Sequence, residues 1–95
     1  MTQPMKEKEY IYIVFGVTGE YEDSMEWNVK AFHTLRKAKN FHKKLMKIVE
    51  DNKLDNKTFG REYDQSVMDC LYALDKNARC DYTGMSYHIA YVELG

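Results

Sequence analysis

The chain has 95 residues, 14 basic and 15 acidic side chains, a formal net charge of -1, and 44% hydrophobic against 31% charged residues. That length makes one small domain, and the composition, with one Pro and five Gly, excludes a disordered chain, a low-complexity linker or a repeat array. The longest apolar run, Ile11 to Phe15, is too short to span a bilayer, and the opening "MTQPMKEKE" is polar and of mixed charge, unlike a signal peptide. A single α+β domain over residues 1–95 is expected, with 1–8 as a flexible N-terminal segment, in the cytoplasm.

In chain order, "EYIYIVFGV" (residues 9–17) reads as a strand. Ile11, Ile13, Phe15 and Val17 share one face and Tyr10, Tyr12 and Val14 the other. Both faces are apolar or aromatic, which predicts a central strand. "TGEYEDS" is a turn in which Gly19 supplies backbone freedom. "MEWNVKAF" (residues 25–32) alternates Met25, Trp27, Val29 and Ala31 against Glu26, Asn28 and Lys30, so a second strand with one buried side is expected. Thr34 is the predicted N-cap of a helix over residues 35–51. Its apolar side carries Leu35, Ala38, Phe41, Leu45, Met46, Ile48 and Val49. A polar loop follows. A second helix is predicted from about Arg61 to Asn77, with Tyr63, Val67, Cys70, Leu71 and Leu74 as its stripe and Glu62, Asp64, Asp69 and Asp75 off it. "MSYHIAYVEL" (residues 85–94) is the third strand. The order β-β-α-α-β predicts a three-stranded sheet with two amphipathic helices packed on one face. If each helix crosses the sheet, the third strand runs parallel to the first; the preferred neighbour order is 3-1-2.

The net charge conceals an asymmetry. Residues 30–47 carry Lys30, Arg36, Lys37, Lys39, Lys43, Lys44 and Lys47 and no acid, which leaves 7 basic against 15 acidic residues elsewhere, a balance of -8. Arg36, Lys39, Lys43 and Lys47 centre the wet side of the first helix. Such a face neutralises phosphates or meets an acidic protein; Asn40 is its candidate for reading a base edge. The plain alternative is a solvated helix face. Against nucleic acid stand the absence of interleaved aromatics and a pI of about 6.3, well below the basic signature.

"VTGEYEDSMEWNVKAF" and "DYTGMSYHIAYVEL" together resemble a group of small uncharacterised bacteriophage and prophage proteins. That pattern is T-G-x-Y-x-D, E-W, a strand ending A-F, then T-G-x-x-Y and V-x-L. Here it falls on Thr18, Gly19, Tyr21, Asp23, Glu26, Trp27, Ala31, Phe32, Thr83, Gly84, Tyr87, Val92 and Leu94. The likeness covers both ends of the chain; residues 50–80 match nothing in it. It implies phage origin, hence the cytoplasm of a bacterial host, and a small α+β fold, and it implies no reaction.

Two further surfaces are candidates for a partner. Glu20, Tyr21, Glu22 and Asp23 form an acidic turn longer than a tight hairpin, able to mimic phosphates toward a basic groove. Tyr87 and Tyr91, with Tyr10 and Tyr12, are expected to line a sheet surface, where tyrosine buries area at small entropic cost; an open face opposite the helices is the place for a homodimer. The turn lacks the alternating carboxylates and central Gly of a calcium loop, and His33, His42, His88, Cys70 and Cys80 lack zinc-ligand spacing. No metal, cofactor or membrane is expected, and no catalytic residue. Cys70 is expected on the core stripe and Cys80 in a more exposed turn, both as free thiols. The reading is a non-catalytic accessory protein that binds a host or phage protein, with host-defence inhibition as one form. Nucleic-acid binding through the basic helix face is the alternative.

Overall fold

The computed structural model describes residues 9–19, 24–56, 65–80 and 83–94. The expected 1–8 segment and the acidic turn at Glu20, Tyr21, Glu22 and Asp23 lie outside the described residues. Five elements follow in the order β1 (Glu9–Thr18), β2 (Met25–Phe32), α1 (Leu35–Asp51), α2 (Gln65–Leu74) and β3 (Met85–Leu94). The sheet order is β2-β1-β3, so β1 is central, and both neighbours run antiparallel to it.

The antiparallel β3 corrects the expectation of a parallel one. The 17 residues of α1 span about 25 Å, enough to traverse the sheet. The 10 residues of α2 reach only about 15 Å, and α2 packs against α1 rather than returning across the strands. The chain therefore stays at the end where β1 finishes. There the Met85 N–H donates to the Leu54 carbonyl at 2.8 Å just past α1, and β3 starts beside Thr18.

Thr34 caps α1 as its sequence position predicts. Its backbone is extended (φ -125, ψ 143), and Oγ1 accepts from the Lys37 N–H at 3.3 Å. Ala38, Leu45 and Val49 are fully buried, with Phe41, Met46 and Ile48 packed beside them, while Leu35 is 40% exposed. At the other end Asn52 closes the helix, donating from both backbone and side chain to the Ile48 carbonyl. Asp51, at the end of the helix where a negative charge is unfavourable, pairs with Lys47 at 3.1 Å.

Strand register decides which side chains meet the helices. On β1 it is Tyr12, Val14 and Thr18, with Gly16 between the last two. On β3 it is Met85, Tyr87 and Ile89. On β2 the pairing shifts between Val14 and Phe15, so that Val14 faces Lys30 but Phe15 faces Asn28. Val29 is the extra residue of a bulge, and the alternation reverses there. Trp27 and Phe32 both reach the helix side, and Lys30 joins them, its ammonium over the rings of Phe32 and Phe41 at 5.5 and 5.6 Å. Ala31 consequently lies on the outer side and Lys30 on the inner, the reverse of plain alternation. Gly16 is required because a Cβ would collide with the Trp27 ring, which lies across it.

α2 begins within the span expected for it and stops at Leu74, three residues short of the expected end. Met68 and Leu71 are its buried residues, and Cys70 is exposed while Cys80 is half-buried, the reverse of the expected assignment. Asp75, expected off the stripe, is only 3% exposed. It lies four residues beyond Leu71 and so continues the buried line.

Candidate binding surfaces

The best-defined polar cluster is internal. Asp75 Oδ2 accepts from Trp27 Nε1 at 2.8 Å and from the Tyr87 hydroxyl at 2.7 Å, and Oδ1 accepts from the Asn77 N–H at 3.1 Å. Three elements are thereby tied at one carboxylate: β2, the end of α2, and β3. The Trp27 and Tyr87 rings meet edge to face, 6.3 Å apart. Burial first, then the hydrogen bond and the charge of Asp75, push the Tyr87 phenol well above the ordinary tyrosine range. A phenol held protonated in this way is a donor fixed in place, and the cluster acts as a clamp for the fold.

A second set of contacts fastens α1 to the outer edge of β3. His42 Nε2 donates to the Tyr87 carbonyl at 2.7 Å, and the Tyr87 N–H donates to Met46 Sδ at 3.4 Å. Thr18 Oγ1 donates to the Gly84 carbonyl at 2.9 Å. Gly84 has φ +95, and a Cβ on it would press on the Asp55 carbonyl.

These contacts use Thr18, Trp27, Gly84 and Tyr87, four of the residues on which the expected resemblance to phage proteins rests. In this chain those four hold the framework together. Tyr87 is 2% exposed and offers no surface to a partner, which corrects the expectation for it. Tyr10, Tyr12 and Tyr91 share its side of the sheet through the register of β1 and β3, so no tyrosine of these strands lies on the open face. Tyr91 is 72% exposed, at the end of the sheet where α1 begins, with its ring edge-on to Tyr10 at 5.7 Å.

Asp75 escaped the sequence reading although a signal was present. A carboxylate on the buried line of a helix demands donors, and one Trp with one buried Tyr supplies two. The other histidines and thiols form no site. His88 contacts Ser86 Oγ at 2.8 Å and stacks obliquely on Phe15, the Cys80 thiol donates to the Leu54 carbonyl at 3.4 Å, and His33 is exposed. Among the described residues no group of three or more His, Cys, Asp or Glu could hold a metal ion. Nor, among them, is any helix long and apolar enough to cross a membrane.

Two surfaces face outward. One is the wet side of α1. Arg36, Lys37, Lys39, Lys43, Lys44 and Lys47 are all exposed, as is Asn40, and the Lys47–Asp51 contact is the one ion pair recorded along it among the described residues. Lys44 and Lys47 also border a cleft of about 420 Å³ between α1 and α2, lined by Ile48, Val67, Cys70 and Leu74. The other is the face of the sheet turned away from the helices. β1 contributes Glu9, Ile11, Ile13, Phe15 and Val17 to it, β3 contributes Ser86, His88, Ala90, Val92 and Leu94, and β2 contributes Glu26, Asn28 and Ala31. Neither helix packs on it. Comparison with protein-family models, curated proteins and solved structures finds no match.

Proposed function

We propose that the chain is a non-catalytic binding protein that lays the basic side of α1 on an acidic surface of a protein partner. The observation that carries this reading is the one-sided row from Arg36 through Lys39, Asn40 and Lys43 to Lys47. It is exposed along the whole helix while the opposite side of the same helix is core. A row of cations on a rigid helix speeds encounter with an oppositely charged surface and fixes its register. The rest of the chain, with its balance of -8, opposes prolonged contact with a phosphate polyanion and tolerates a local acidic patch better. The likeness to small phage proteins supports a bacterial host as the setting, a host or phage protein as partner, and inhibition of a host defence as one form of the activity.

The test is affinity capture from host extract with the wild-type chain and with Lys39→Glu/Lys43→Glu/Lys47→Glu. The expected result is a protein recovered by the wild type and reduced at least tenfold with the triple variant, with recovery falling as salt rises. Equal recovery by both removes α1 from the contact. Nucleic-acid binding is the second reading, favoured by the same lysines and by exposed Asn40. A shift of labelled duplex DNA or RNA at low ionic strength, abolished by the triple variant, would establish it in place of the first.

A further inference from the structure

We infer that two copies of this chain pair through their open sheet faces, about a two-fold axis running along β1. The first argument is the distribution of apolar side chains on the central strand. Its outward residues are Ile11, Ile13, Phe15 and Val17, with Glu9 exposed at the strand's first position, whereas its inward ones are Tyr10, Tyr12, Val14, Gly16 and Thr18. The side left without a helix is the more apolar of the two, which is the signature of an interaction surface rather than of a solvated sheet.

The second argument is self-complementarity, which a two-fold contact requires. The register arranges the outer face in rows: Glu26–Val17–Ser86, then Asn28–Phe15–His88, then Ala31–Ile13–Ala90, with Ile11 and Val92 beyond. A two-fold axis along β1 keeps each row at its own level and exchanges its flanks. Glu26 then faces Ser86 of the second copy, Asn28 faces His88, and Ala31 faces Ala90, while Ile11, Ile13, Phe15 and Val17 meet their own counterparts and the two Glu9 side chains meet only at the exposed rim, where solvent and salt screen them. Polar meets polar at one end and small meets small at the centre. The depression of about 290 Å³ lined by Phe15, Glu26, Trp27, Asn28 and Ala90 lies where the second copy's His88 arrives. The other two-fold arrangement, with the axis across the strands, sets Ser86 against Leu94 and His88 against Val92, and buries polar groups on aliphatic ones.

The third argument is size. Strands of 10, 8 and 10 residues, at about 3.3 Å per residue and about 4.8 Å spacing, give roughly 450 Å² of flat face per copy and about 900 Å² for the pair. Side-chain relief raises this to about the 1,000 Å² at which specific interfaces begin. The pair is accordingly a weak one, with a dissociation constant in the micromolar range.

Sedimentation of the full chain across a concentration series tests this. The wild type is expected to pass from monomer to dimer over micromolar concentrations, and Ile13→Lys, which places two cations together on the axis, to weaken the dimer roughly 100-fold. A chain that stays monomeric at several hundred micromolar overturns the inference. Because misfolding of Ile13→Lys would give the same reading, a second measurement uses chains with Ala31→Cys and chains with Ala90→Cys, each with Cys70→Ser, joined by a bis-maleimide of about 10 Å span, the spacing of packed sheets. Mixing the two chains is expected to give several-fold more cross-linked product than either alone. Equal yields, or a preference for like pairs, overturn the arrangement.

Discussion

The two sides of β1 reverse the usual relation between greasiness and burial. The inward side carries a glycine, a threonine and two tyrosines around Val14, and it meets the core. The outward side carries two isoleucines, a phenylalanine and a valine, with Glu9 at its first position, and it faces away from both helices. What sets the inward side apart is fit and polar fastening. Gly16 leaves room for the Trp27 ring, Trp27 and Tyr87 converge on Asp75, and Thr18 ties to Gly84. Hydrophobic area alone does not choose the core; buried polar groups that find their partners make one packing unique.

The largest effect is expected from breaking the inward fastening. Asp75→Ala leaves the Trp27 N–H and the Tyr87 hydroxyl without their acceptor inside the core, a loss of about 3 kcal/mol or more, measurable by urea denaturation. A loss under about 1 kcal/mol would mean that the clamp is not what distinguishes the two sides.

The next effect sharpens the same contrast through pH. Tyr87 is held protonated in the fold. Below about pH 10 the phenol is neutral whether the chain is folded or not, and its contribution is complete. Above that, the unfolded chain ionises and the folded one does not, so stability falls by about 1.4 kcal/mol per pH unit. Between roughly pH 10 and 11.5 the wild type is expected to lose stability with a steeper slope than Tyr87→Phe; parallel slopes would show the phenol to be free to ionise.

The smallest effect belongs to the outward side. Val17→Thr, made next to Thr18 on the same strand, is expected to change folding stability by under about 0.5 kcal/mol at concentrations where the chain is monomeric. A cost near that of Asp75→Ala would erase the distinction between the faces.

Much of this was readable from residue order. Period-two runs located all three strands, Thr34 marked the start of α1, and the two apolar sides of "YIYIVFGV" placed β1 at the centre. Alternation reports which side chains share a side, not which side meets the helices, so on its own it places Tyr87 on a surface that Tyr87 does not occupy. It also fails at a bulge, and Lys30 and Ala31 are exchanged for that reason. The direction of β3 depended on how far α2 travels, which periodicity does not encode. On the candidate surfaces, the basic row was legible because charge patterning is local. The Trp27–Asp75–Tyr87 convergence spans |i−j| values of 48 and 12 and appears only once the chain has folded.

The attachment of α1 to β3 at Tyr87 has a further consequence. A bare sheet border invites endless lateral growth, each newcomer copying the one before it. His42 and Met46 occupy that border at Tyr87, and Leu54 occupies it at Met85. The opposite border, on β2, is broken by its irregular step at Val29. A stray chain seeking a template therefore finds a barricade at the Met85–Tyr87 end of one flank and a dislocation on the other, and fibril seeding is obstructed at those two places.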